Sequence, residues 1–379
     1  MITKISIQNF KSLKDIELGC KNLNLLTGLN GMGKSSIIQS LLLLKQSYDK
    51  GHLRSGGLTL KGELSNIGVG RDAIFRGGEV ESIRFGISFL AKEKSVDFMW
   101  AFGYEADSDV LPFDSAFVIP DGIDELPIFK NNLKYLNAER TVRNQYERSD
   151  FHVVTNRSLG MHGEYTAHYL AQFGNKKSEE VHDSVALPNA PSKNLDHQVS
   201  AWMGEVSPGT KVIATKIAGV DGVKLGYEFE NASGKSEEFS PTNVGFGITY
   251  SLPVIVLLLS AKPGDILLIE NPESHVHPRG QSMIGRLMGR VAQTGVQIFV
   301  ESHSDHILNG ICLAIHDGHI KKEAVKIYFL QKNKNETQTS KYEVEVNDKG
   351  VYDDQVLRDK DIEGFFDQAN KDNRNILFG

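Results

Sequence analysis

The chain has 379 residues, 40% of them hydrophobic and 24% charged, which excludes wholesale disorder and allows a buried core without disulfide staples. The 42 Lys and Arg against 48 Asp and Glu leave a net charge of −6, which excludes a surface coated in basic charge but not a local basic patch. Two cysteines, Cys20 and Cys312, are too few for a disulfide framework or a cysteine-rich zinc site and fit a reducing cytosol. Met1 to Ile7 alternates apolar and polar residues as a strand does, without the apolar block of a signal peptide. A turn at Lys11-Ser12, a second strand DIELG and an apolar run from Leu23 follow, ending in Gly28, and Ser35 to Tyr48 is helical in composition. Residues 57–120 alternate as an antiparallel meander. From 131 to 204 the texture turns polar, with short helices expected at 162–173 and 194–204.

Strands are expected at 211–218 and 223–230, and then strand and helix alternate. Helix 246–261, strand 266–270, helix 279–293, strand 296–300, helix 304–315 and strand 324–330 imply a mostly parallel α/β sheet. After Gln331 comes a polar hairpin with turn material KNKNETQTS, then an acidic stretch holding Asp353, Asp354, Asp359, Asp361, Glu363 and Asp367. The longest apolar run, Leu252 to Ala261, is half the roughly 20 residues a membrane span needs and reads as a buried helix. The texture divides the chain into 1–130, 131–204, 205–330 and 331–379: a first lobe, a mainly helical insertion, a second lobe and a small C-terminal domain.

The segment GLNGMGKSS, Gly28 to Ser36, fits G-x-x-x-x-G-K-[ST] between an expected strand and an expected helix. Glycines at 28, 31 and 33 let the backbone wrap a polyphosphate with its N–H groups inward, and the helix N-terminus adds partial positive charge. Asn30, Gly31, Gly33, Lys34, Ser35 and Ser36 are the expected nucleotide contacts, with Lys34 on the β/γ-phosphates and the Ser35 hydroxyl on Mg²⁺. A nucleoside triphosphatase also needs a carboxylate at a strand end for the metal and a group that activates water. The apolar strand 266–269 runs into Glu270-Asn271-Pro272-Glu273, which makes Glu270 the candidate metal-side carboxylate, acting through a water. After the next apolar strand, Glu301-Ser302-His303-Ser304 places His303 where it would meet the γ-phosphate or the attacking water.

Together FKSL at 10–13, GLNGMGKSS, LLIENPESHVHPRGQ at 267–281 and VESHSDHILNGI at 300–311 resemble the ABC-class branch of P-loop ATPases. That branch includes the SMC/Rad50 proteins and the ATPase part of the OLD nucleases. The chain is more closely similar to short bacterial AAA-type ATPases that recur with IENPE-x-H-x-HPRGQ and a terminal GFFDQ, here Gly364 to Gln368. The resemblance implies an ABC-type P-loop NTPase fold, ATP and Mg²⁺ as ligands, Lys34 and Ser35 as Walker A residues, Glu270 as the Walker B acid and His303 as the switch histidine. Asn243 to Gly247 (NVGFG) stands where the signature motif would be, so Gly245 and Gly247 would cap ATP held by a second subunit in a head-to-tail homodimer or larger oligomer. Asn271 occupies the position where the class usually carries its catalytic glutamate. Hydrolysis is then slow, or Glu273 substitutes.

No heptad arm and no second acidic constellation follow, and the resemblance to the short bacterial ATPases implies a separate effector chain, a nuclease or toxin, as in bacterial anti-phage or DNA-processing systems. Six of the twelve histidines, His275, His277, His303, His306, His316 and His319, would alternatively serve a zinc hydrolase. Lys134, Arg140, Arg143, Arg148 and Arg157 could track a DNA backbone or form a solvated helical face, and Arg140 could instead be structural or phosphate-sensing. A nucleotide-gated scaffold with little catalysis is the second functional reading, motivated by Asn271.

Overall fold

The computed structural model describes residues 1–77, 82–91, 94–115, 122–140, 146–148, 150–232, 234–332, 338–359 and 364–366. Arg143, Asp361, Glu363, Asp367 and Gln368 lie outside them, as does the side chain of Arg148. The chain forms two compact units, the first drawn from 1–133, 325–346 and 352–379, the second from 134–324 and 347–351.

In the first unit Ile2–Phe10 lies between Leu13–Gly19 and Ser82–Ala91, and Lys94–Gly103 pairs outside the last, all antiparallel. A register shift between Ile2 and Lys4 flips the alternation once, so that Ile2, Ile5 and Ile7 are all buried. The rings of Phe10 and Phe85 meet edge to face at 5.2 Å, and Phe98 stacks on Trp100 at 6.0 Å, which seals this sheet's inner side. A short pair, Leu58–Thr59 with Val110–Leu111, completes the antiparallel part expected for 57–120.

The second sheet of this unit runs Tyr352–Asp353, Thr339–Val346, Val325–Lys332, Leu23–Gly28. Val325–Lys332 is parallel to Leu23–Gly28, with Leu330 opposite Gly28, while Thr339–Val346 returns antiparallel. All six residues of Leu23–Gly28 are buried, as a strand covered on both faces requires. Gly28 has φ +138° and a Cβ there would stand 2.2 Å from the Leu330 carbonyl oxygen. Gly28→Ala is therefore expected to cost about 3 kcal/mol from overpacking against backbone plus dihedral strain, read as a lowered urea midpoint.

In the second unit Ile266–Glu270 and Gln297–Glu301 are parallel and in register, Glu270 opposite Glu301, and Leu133–Leu136 flanks Ile266–Glu270. Helix Phe246–Ser260 buries every residue from Leu252 to Ser260, as its unbroken apolar run predicts. Helices Pro278–Gln293 and Asp305–His316 touch almost backbone to backbone, because a Cβ at Gly310 would lie 2.2 Å from the Ser282 carbonyl oxygen and one at Gly285 2.4 Å from that of Ile307. An antiparallel sheet of Thr210–Lys216, Gly222–Asn231, Tyr146–Arg148 and Gly234–Lys235 and the helices Thr166–Phe173 and Leu195–Val206 complete this unit. The α/β class and the strand–helix alternation are as expected. Among the described residues no helix is long and apolar enough to cross a membrane.

Candidate active site

The strand Leu23–Gly28 delivers the chain into a loop whose glycines all take positive φ: Gly28 at +138°, Gly31 at +75° and Gly33 at +90°. L-residues with a Cβ rarely tolerate such values, which explains glycine at these positions. Gly33 is also enclosed, since a Cβ there would lie 2.8 Å from Ser12 Oγ and 2.9 Å from a Leu13 methyl. It caps helix Lys34–Asp49 without a side-chain hydrogen bond, and the first turn holds no acidic residue. That helix end keeps its partial positive charge and its N–H donors facing the loop. Lys34 is 3% exposed, and its Nζ donates to the carbonyls of Gly28 at 2.9 Å and Leu29 at 2.8 Å. The ammonium is thus held inside the curl of the loop. Asn30 and Gly31 form the exposed tip, Ser35 is half-buried in the first helical turn, and Ser36 turns into the core.

In the second unit the two parallel strands end together in acids. Glu270 is half-buried, and burial raises its carboxyl pKa against the opposing effects of the Tyr135 hydroxyl, the Ala138 N–H and the Arg140 charge. Tyr135 donates to Glu270 Oε1 at 3.1 Å. Arg140, 4% exposed, donates from Nη2 to the Glu270 carbonyl at 2.5 Å and from Nη1 to the Asn271 carbonyl at 3.0 Å. Burial lowers the Arg140 pKa to about 10, so the guanidinium remains charged at neutral pH. Asn271 has φ +43°, a left-handed value that asparagine tolerates, and its N–H donates to the Glu301 carbonyl at 2.9 Å.

Glu273 reaches the neighbouring strand end. Its Oε2 accepts from the Ser302 hydroxyl at 2.8 Å, and its Oε1 accepts from the His303 N–H at 2.8 Å. His303 is exposed, and Ser304 then caps helix Asp305–His316 by accepting from the N–H groups of His306 and Ile307. Glu270, Asn271, Glu273 and His303 are therefore brought to one strand-end cluster. Mg²⁺ takes hard oxygen donors, and the Glu270 carboxylate at this strand end is of that kind, as is, in the first unit, the Ser35 hydroxyl. A carboxylate whose ionised form burial disfavours is one that a divalent cation would compensate.

Helix Phe246–Ser260 starts at Gly245 with no side-chain cap and no acid in its first turn. Gly247 abuts the loop after Glu273, since a Cβ there would stand 2.6 Å from the His275 carbonyl oxygen, and the Phe246 and His275 rings lie 5.4 Å apart. Gly247 and the acid-bearing loop are thus neighbours.

The basic window requires a correction. Lys134 is 7% exposed and its Nζ pairs with Asp265 Oδ2 at 2.7 Å, Arg140 is buried as described, and Arg157 bonds the Ser260 carbonyl and pairs with Glu179 at 3.5 Å. These three side chains turn inward, because their acidic and carbonyl partners are distant in sequence, and they form neither a DNA track nor a solvated face. Arg140, which the sequence left open as structural or phosphate-sensing, holds the backbone bend after Glu270. The histidines are also dispersed. His277 caps helix Pro278–Gln293, His316 bonds the Lys349 carbonyl and His319 meets Arg290. Among the described residues no group of three or more His, Cys, Asp or Glu is placed to hold a metal, so the zinc-hydrolase alternative finds no such site.

Sequence reasoning missed Tyr135 and the hydroxyl of Ser302 as partners of the acids. The only signal for Tyr135 was its place on a short apolar strand ahead of a polar turn, and that strand's neighbour is invisible in one sequence.

Comparison with known structures finds the Smc head bound to the C-terminal winged-helix domain of ScpA, at TM-score 0.52 and 13% identity over 94% of this chain and 99% of that one. It also finds the Smc head domain with an extended coiled coil bound to the C-terminal domain of ScpA from Pyrococcus furiosus, at TM-score 0.54 and 13% identity over 91% and 96%. At such identity these similarities establish the fold, that of an Smc head domain. No curated protein sequence matches. A family model described as "AAA domain, putative AbiEii toxin, Type IV TA system" matches residues 23–309. The match spans the phosphate loop, both acidic strand ends and the signature-like helix, and the chain belongs to this AAA-domain family.

Proposed function

We propose that the chain binds Mg-ATP through Asn30, Gly31, Gly33, Lys34, Ser35 and Ser36 and hydrolyses it slowly, cycling between an open form and an ATP-closed homodimer. The observation that carries this reading is the loop itself: three positive-φ glycines, an uncapped helix start without acids, and a buried lysine within the curl. Mg²⁺, when bound, would neutralise developing phosphate charge; the Ser35 hydroxyl would be one donor and Glu270 would hold it through a water. Glu273 takes the proton of the attacking water. The water oxygen bonds to the γ-phosphorus as the bond to the bridging oxygen breaks, giving ADP and inorganic phosphate. Each Glu273 oxygen accepts one hydrogen bond and keeps a lone pair, so the residue is oriented without being exhausted as a base. His303 lies beside it as the γ-phosphate contact, and Asn271 holds the bend without proton chemistry.

In the closed form the start of helix Phe246–Ser260, at Gly245 and Gly247, would cap the ATP of the second copy, a self-complementary C2 arrangement. The motion would reach a separate effector, a nuclease or toxin of a defence or DNA-processing system, through residues 131–204. The SMC heads above are bound to a ScpA domain, which supports a protein partner. A cytoplasmic location suits the two buried free thiols.

Glu273→Gln is expected to cut phosphate release by about 10²-fold or more while ATP binding persists, since a general base contributes roughly 10²–10⁴. Steady-state phosphate release and ATP titration of the same variant check this. The second reading, a nucleotide-gated scaffold, is favoured by Asn271 and predicts ATP-dependent dimerisation without turnover in the parent protein.

A further inference from the structure

Nothing in the reaction scheme above uses Tyr135 or Arg140, yet both are committed to the acid-bearing strand end. Tyr135 lies on the short strand beside Ile266–Glu270 and spends its hydroxyl proton on Glu270 Oε1. Arg140, five residues on and 4% exposed, spreads its two terminal nitrogens over the successive carbonyls of Glu270 and Asn271. Burying a guanidinium is costly unless its donors are placed, and here both terminal nitrogens are placed on the backbone bend that turns the strand towards Glu273. Asn271, at φ +43°, is held from the other side through its N–H to the Glu301 carbonyl. The Glu270–Asn271 peptide is therefore clamped from both sides, and the Glu270 carboxylate from its own oxygen. A surface turn with two solvated acids would need none of this.

We infer that Tyr135 and Arg140 are positioning residues: Tyr135 orients the Glu270 carboxylate and Arg140 fixes the Glu270–Asn271 bend, so that Glu270 meets the divalent cation of bound Mg-ATP preorganised. The inference rests on the ATPase reading, in which Glu270 is the cation-side acid. Neither residue touches nucleotide in this scheme; both act through Glu270. Partners of this kind, one bond removed from a metal-binding carboxylate, are worth about 10–100-fold in metal affinity. A planar fork is required at position 140, because two carbonyls are met at once and an ammonium can serve only one well.

The test compares the parent protein with Tyr135→Phe, Arg140→Lys and Glu270→Ala, using Mn²⁺ as a spectroscopic probe in place of Mg²⁺. ATP affinity is measured without divalent cation, and Mn²⁺ affinity is then measured on the ATP-loaded protein by electron paramagnetic resonance. Tyr135→Phe removes one oxygen atom and keeps the ring, so it carries the test even where Arg140→Lys folds poorly. The expected result is cation-free ATP affinity within twofold of the parent and Mn²⁺ affinity lowered about tenfold in both variants, approaching the Glu270→Ala value. Steady-state turnover at saturating ATP falls in parallel, with KM little changed. Lowered unfolding midpoints with parental Mn²⁺ affinity would show a merely structural role and overturn the inference. A parent protein that binds ATP but whose Mn²⁺ affinity is indifferent to Glu270→Ala would overturn it too. A parent that binds no ATP at all would instead bring down the ATPase reading and this inference with it.

Discussion

Lys34→Ala is expected to abolish ATP binding, and with it any phosphate release. The ammonium sits 3% exposed between the Gly28 and Leu29 carbonyls, at the point where the loop's N–H groups and the helix start converge. An anionic polyphosphate entering that curl gains the lysine charge and loses it entirely in the variant. A ligand that binds only the folded state stabilises it by about 2.7 kcal/mol at a hundred times its Kd. The parent protein should accordingly gain resistance to urea when ATP is added, and Lys34→Ala should gain none. Without nucleotide the variant should lose about 1–3 kcal/mol, because two charge-assisted hydrogen bonds disappear. Phosphate release measured beside the unfolding shift separates the two functional readings. A shift with turnover supports hydrolysis, and a shift without turnover supports the nucleotide-gated scaffold. A shift that survives in Lys34→Ala would remove the loop from the argument altogether.

Asp265→Ala should be the most damaging single change for the second unit, costing about 3–5 kcal/mol. Lys134 and Asp265 have side-chain exposures of 6% and 10%, so removing the acid leaves a cation in a nearly dry site. Burial already pushes the Lys134 pKa down, and Arg157 pushes the same way, while Asp265, and after it Glu179, oppose them. Asp265 Oδ2 also accepts the Lys262 N–H at 2.9 Å, so the change further frees a turn donor. The double change Lys134→Met with Asp265→Leu is expected within about 1 kcal/mol of the parent, because two apolar side chains leave no buried charge behind. Urea unfolding of the parent, Lys134→Met, Asp265→Leu and the double change gives the coupling directly. The same pair bears on nucleic acid. A lysine occupied in this way cannot neutralise a phosphate, so any DNA affinity of the protein should be indifferent to Lys134→Met.

Much of the molecule was legible from residue order alone. The glycine spacing of Gly28 to Gly33, set between an apolar run and a helical one, specifies a curled loop, because glycine takes positive φ without the steric cost a Cβ brings. The alternation of strand and helix from 246 to 330 specifies parallel pairing, because parallel neighbours need a crossover. Apolar strands that run without pause into Glu270 and Glu301 place both acids at strand ends. These are local properties, carried by period, punctuation and composition over a few residues.

Partnership across long sequence distances was decided by tertiary structure. Lys134, Arg140 and Arg157 look from their neighbours like a basic face, yet each is neutralised or hydrogen-bonded by residues more than twenty positions away: Asp265, the Glu270–Asn271 bend, Glu179 and Ser260. Glu273 reads locally as a spare acid after a proline, and only the side-by-side strand ends bring the Ser302 hydroxyl and the His303 N–H onto its two oxygens. Gly247 reads as an ordinary helix-start glycine, and only the His275 carbonyl packed against it shows why a side chain is excluded. Local sequence determines which backbone path a segment can take, since dihedral preference acts over a few residues. Which charges are buried, and against what, depends on which strand lies beside which, and that is settled only when the whole core packs.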